Sequence, residues 1–72
     1  MNIYYINTDS SKNPNHNNEV HTEDCYWRRL AYATCNNLGY YQNGVQAVEA
    51  AKRAGYFRAD GCKDCCPEAH RG

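Results

Sequence analysis

Leu, Ile, Val and Phe together number only eight in this chain: Ile3, Ile6, Val20, Leu30, Leu38, Val45, Val48 and Phe57. That scarcity constrains the fold more than any motif. Ordering a chain costs on the order of 1.5 kcal/mol per residue, roughly 100 kcal/mol at this size, and so thin an apolar core barely matches it even with seven Tyr and one Trp added. Disorder is the competing outcome for a chain so poor in these residues, but disorder also expects a large net charge. Here eight basic residues balance eight acidic ones. A single small domain held by a staple is therefore expected.

The five cysteines, Cys25, Cys35, Cys62, Cys65 and Cys66, are the candidates for that staple. No charged n-region followed by an apolar h-region opens the chain, so a cytoplasmic, reducing setting is expected. Reduction, an odd count and the adjacent pair Cys65-Cys66 argue against disulfides and for metal ligation. No apolar run approaches the roughly 18 residues of a membrane span, and balanced charge removes the bulk attraction to nucleic acid.

Ile3-Tyr4-Tyr5-Ile6 reads as a short strand running into an Asn-rich loop over residues 8 to 18. Val20-His21 begins a second extended piece, Thr22 to Cys25 a tight turn, Tyr26 to Ala31 a short helical stretch and Leu38 to Tyr41 a weak strand. The best-marked element is a helix over residues 43 to 54. Asn43 is its N-cap, Gln46 completes a capping box, Val45, Val48 and Ala51 form its apolar face and Gly55 closes it. These elements predict an α+β fold, a small zinc-stapled domain with short strands and one main helix. Residues 1 to 18 supply the first strand and loop, and residues 19 to 72 the zinc-binding module, within one domain overall.

Two ligand pairs stand out, His21-x3-Cys25 and Cys62-x2-Cys65, separated by 36 residues that carry the helix. Closely spaced pairs let one turn of backbone aim two donors at one centre, and two pairs complete the four donors of a tetrahedral Zn2+. Gly61 gives the second pair a flexible entry, and Pro67 can open a short helix behind it. The rival donor set is Cys25, Cys62, Cys65 and His70, because Cys66 and His70 form a further C-x3-H pair. His21 is preferred, since Cys25 otherwise lacks a local partner and His70 sits near a terminus. Cys35 and Cys66 are then spare. A redox dithiol would require a βαβ setting for which the chain has no room.

The combination of His21-x3-Cys25, an aromatic strand at Leu38 to Tyr41, the segment Gln46 to Ala51 and Gly61-Cys62-x2-Cys65-Cys66-Pro67 resembles the zinc-binding domain of the Ada methylphosphotriester repair protein. Small bacterial and phage proteins with H-x3-C in the first position look closer still. The resemblance covers roughly residues 19 to 68 and implies a small zinc-held α+β unit. In that family the first cysteine of C-x3-C is both zinc ligand and methyl acceptor. His21 stands there in this chain, and an imidazole does not replace a nucleophilic thiolate.

Neither an acid/base pair nor a phosphate loop is visible, and four protein donors would close the zinc to substrate. The expected function is a non-enzymatic structural-zinc module for macromolecular recognition, as a protein-protein adaptor or mobile-element inhibitor. Tyr26, Trp27, Tyr40, Tyr41, Tyr56 and Phe57 are its candidate contacts, although most of these rings are expected to fill the thin core. The alternatives are a nucleic-acid-binding module using Arg28, Arg29, Lys52, Arg53 and Arg58, and a zinc-thiolate alkyl acceptor of Ada type.

Overall fold

The computed structural model describes residues 1–11 and 16–71. Part of the expected Asn-rich loop, residues 12–15, lies outside them. Strand β1 (Asn2–Asn7) is built by alternation, with Tyr4 and Ile6 buried on one face while Ile3, Tyr5 and Asn7 stay half-buried on the other. It pairs antiparallel with β2 (Asn18–Thr22), placing Ile6 opposite Val20 and Tyr5 opposite His21. On its other edge it pairs antiparallel with β3 (Cys35–Tyr41), where a register shift between Tyr4 and Tyr5 accommodates an extra residue of β3.

A five-residue helix, α1 (Tyr26–Leu30), and a turn connect β2 to β3. The strand expected at Leu38 thus starts three residues earlier. Helix α2 (Gly44–Arg53) follows β3 and leads to β4 (Ala59–Gly61), which runs parallel to β2 with Val20 beside Gly61. The result is an α+β fold, a mixed four-stranded sheet in the order β3-β1-β2-β4 with one main helix. A 3-10 turn at Pro67–Ala69 closes the chain against α2.

Helix α2 forms where its caps predict. Asn43 Oδ1 accepts from the Gln46 backbone N–H at 3.0 Å, while Gln46 Oε1 accepts from the Gln42 N–H at 3.2 Å, one residue earlier than a capping box requires. Glu68 Oε2 accepts from the Gly44 N–H at 2.8 Å, so a carboxylate from the chain's end also serves the helix N-terminus. At the other end Tyr56 N–H reaches Ala51 O and Gly55 N–H reaches Lys52 O, a Schellman closure with Gly55 at φ 110°. The buried face is Gly44, Ala47, Val48 and Ala51, and Val45 is only half-buried.

This face meets Tyr4, Ile6, Val20, Ala59, Cys66 and Ala69. The core is built largely of alanines and small side chains, which confirms how little apolar surface the chain can bury. Its aromatic share is smaller than expected. Tyr4 is buried, and Tyr41 and Tyr56 pack against the core, but Tyr26, Trp27, Tyr32, Tyr40 and Phe57 are exposed.

Gly61 is fixed by close approach, because a Cβ there would lie 2.7 Å from Cys66 O and from Ala69 Cβ, and 2.9 Å from the Ala69 carbonyl carbon. Two of those atoms are backbone and cannot swing away. Gly61→Ala is therefore expected to destabilise the fold by about 2 kcal/mol, read as a shifted midpoint in denaturant unfolding.

Candidate metal centre

Four side chains from two distant segments converge beside the sheet. Strand β2 buries Val20 against α2, so its next residue, His21, points to the opposite face, where it is 1% exposed. The expected turn follows, closed by the Cys25 N–H donating to Thr22 O at 3.2 Å. Cys25 then occupies the N-cap of α1, its carbonyl accepting from the Arg29 N–H. Strand β4 delivers the second pair, since the Cys62 N–H donates to Val20 O at 3.0 Å and carries the parallel pairing one residue past Gly61. Cys62 is thereby placed alongside His21. The chain then folds back, with the Cys66 N–H donating to Cys62 O at 2.7 Å, and presents Cys65, whose Sγ accepts from the Thr22 N–H at 3.4 Å.

His21, Cys25, Cys62 and Cys65 each offer one ligand atom, and these atoms all lie within 4.8 Å of one another. A tetrahedral ion with metal–sulfur bonds of about 2.3 Å and a metal–nitrogen bond of about 2.0 Å sets S···N edges near ~3.5 Å and S···S edges near ~3.8 Å. His21 Nδ1 stands 3.5 Å from Cys25 Sγ and 3.8 Å from Cys65 Sγ. The donor set and these two S···N separations fit a metal ion.

The rival donor His70 and the spare cysteines are sorted by the same geometry. His70 is directed elsewhere. Its Nδ1 lies 3.0 Å from Gly61 O, to which it donates, and 3.4 Å from Asp60 Oδ2. Cys66 is fully buried in the apolar core with its Sγ 3.9 Å from that of Cys65, and Cys35 lies half-buried on β3.

The metal-free thiols hold their protons strongly. The Cys62 thiol is pushed up to about 12, chiefly by its hydrogen bond to Cys65 and then by burial. Cys65 also stands at about 12; its bond with Cys62 lowers it, but contact with Cys66, burial and contact with Cys25 outweigh that. Crowded sulfurs cannot ionise together without a cation, and a divalent ion supplies the missing charge.

One neighbour escaped the sequence reading. Glu19 Oε1 lies 3.8 Å from His21 Nε2, the ring nitrogen turned away from the sulfurs. The available signal was strand periodicity, because residues two apart on β2 share a face. That separation is too long for a hydrogen bond, so the carboxylate acts on the ligating imidazole through its charge, which favours donation to a cation. Glu19→Gln is expected to weaken metal affinity severalfold without unfolding the loaded protein, as measured by competition against a chromophoric chelator.

Among the described residues no helix is long and apolar enough to cross a membrane. Comparison with protein-family models, with curated proteins and with solved structures gives no match.

Proposed function

We propose that this chain is a cytoplasmic, non-enzymatic module stapled by one Zn2+ at His21, Cys25, Cys62 and Cys65, working by protein-protein recognition through the outer face of α1. Three sulfurs and one imidazole nitrogen gathered within 4.8 Å suit zinc, and four protein donors leave it no position for substrate. When bound, the ion neutralises the thiolates and ties the β2 turn to the end of β4.

The observation that carries the recognition reading is α1 itself. A helix of five residues has no stability of its own, and this one buries none of them. Its position is held from outside, by Cys25 at its N-cap, by the Trp27 indole N–H donating to Asp64 Oδ2 between the two knuckle cysteines, and by the Arg28 guanidinium 4.0 Å from the Tyr5 ring centroid. What this framework presents is apolar. Tyr26 is 64% exposed and Leu30 62%, one helical turn apart, with the Trp27 ring edge-on to Tyr26 at 5.4 Å. Rigid, exposed aromatics of this kind are typical anchors of protein interfaces.

Glu23 and Asp24 precede α1 and Asp64 accepts from Trp27, three carboxylates against Arg28 and Arg29 on the helix itself, and a site of three thiolates and one Zn2+ adds a further net negative charge, so the local balance disfavours phosphate. Affinity capture from the source cells tests the reading with the wild-type chain and Leu30→Asp, which leaves the metal donors untouched. The expected result is a protein partner retained at high salt and bound roughly tenfold or more weakly by Leu30→Asp. Capture of nucleic acid that washes off as salt rises, or equal binding by Leu30→Asp, would contradict it.

A further inference from the structure

A second concavity lies apart from the metal donors, between the exposed edge of α2 and strand β4. It is a cleft of about 560 Å3, within the range of small-ligand sites, and none of its lining residues is a metal donor. Its floor is apolar, formed by Val45, Val48, Ala59 and Ala69. Its rim carries Lys52, Arg58 and Arg71 against the carboxylates of Glu49 and Asp60, three positive charges to two negative. Arg58 Nε donates to His16 O at 2.9 Å, which holds its side chain at the cleft.

Asp60 is only 7% exposed and accepts from the Arg71 backbone N–H at 2.8 Å, so this carboxylate is a fixed part of the wall. Asn17 beside it has an incomplete set of partners. Its Nδ2 donates to Asp60 Oδ2 at a long 3.4 Å, while its Oδ1 is buried with no hydrogen-bond partner. A buried acceptor left unpaired is costly, and because Asn17 lines the cleft a donor entering there would complete its set.

We infer that this cleft binds a small ligand carrying a carboxylate, an adjacent N–H and an apolar side chain: an apolar amino acid or the carboxyl-terminal residue of a peptide. The carboxylate meets the cations of Lys52 and Arg71, the N–H meets Asn17 Oδ1, and the side chain covers Val45 and Val48. Guanidinium groups suit a carboxylate in particular, because their forked N–H donors match its two oxygens. This inference is independent of the recognition face on α1.

The test is a titration of the 15N-labelled, zinc-supplied full chain with four probes, followed by amide chemical shifts. N-acetyl-leucine offers carboxylate, amide N–H and side chain, as a peptide end does. Leucine offers the same carboxylate with a free ammonium, 4-methylpentanoate lacks the N–H, and leucinamide lacks the carboxylate. Saturable shifts confined to the residues around Asn17, Val45 to Lys52 and Arg58 to Gly61 are expected, with a roughly millimolar dissociation constant, as is ordinary for about a dozen non-hydrogen atoms. Tighter binding of N-acetyl-leucine than leucine assigns the site to a peptide end, and the reverse assigns it to a free amino acid. Loss of the N–H in 4-methylpentanoate and the exposed charge reversal Lys52→Glu should each weaken binding roughly tenfold. Absence of saturable shifts, equal binding of leucinamide, or unchanged binding by Lys52→Glu would overturn the inference.

Discussion

Cys65→Ser is expected to leave a chain that does not fold, whereas Cys35→Ser folds and holds its metal. The difference follows from position. Cys65 contributes one of the four donor atoms, while Cys35 lies on β3 outside the cluster. A structural zinc ion supplies an apparent ~10–16 kcal/mol in small zinc peptides, as much as the whole net stability of an ordinary domain. A hydroxyl is a poor substitute for a thiolate, and this core of alanines has no reserve with which to compensate. Cys66 provides the control for the donor assignment. Because its side chain is buried among apolar groups, Cys66→Ala is the suitable variant, expected to cost about 1 kcal/mol while keeping the metal. Near-UV circular dichroism and bound zinc, measured on all three variants, decide the matter. A Cys66→Ala chain as badly unfolded as Cys65→Ser would show that the knuckle uses a different sulfur.

The second large effect is on metal affinity as pH changes. In the metal-free fold the Cys62 and Cys65 thiols titrate at about 12, above their ordinary 9.0. Raised values mean that the protonated thiols favour that fold below pH 9, a contribution lost as pH climbs toward 12. Metal binding reverses the slope, because it requires thiolates. Near neutral pH Cys62 and Cys65 must release two protons, so zinc affinity should rise at least roughly a hundredfold per pH unit. Competition with a chelator of known proton dependence at two neutral pH values measures the slope. An affinity that changes less than roughly tenfold per unit would mean that no more than one thiol is deprotonated on binding, which three-sulfur ligation does not allow.

The main helix was legible because Asn43, Gln46 and Gly55 all point to the same ends, and these are local signals. The donor pairs were legible for a similar reason, since His21 to Cys25 and Cys62 to Cys65 are each one turn of chain. How the two pairs meet was not. It depends on β4, whose Ala59-Asp60-Gly61 carries no strand propensity and forms only by parallel pairing with β2, a contact across some forty residues of chain. His70 shows the same limit, because its C-x3-H spacing suits a ligand while the fold turns its ring to Gly61 and Asp60. Nor did composition reveal that Tyr26, Trp27 and Leu30 face outward, since amphipathic spacing on a five-residue helix does not say which face has something to pack against.

Chelator titration of the purified chain, with released zinc and near-UV circular dichroism read on the same sample, tests most directly whether one metal ion holds this fold together. The account predicts one zinc released per chain, with the near-UV signal lost in step with the release and restored when zinc is returned. A chain that contains no metal as purified and keeps its near-UV signal in excess chelator would contradict it.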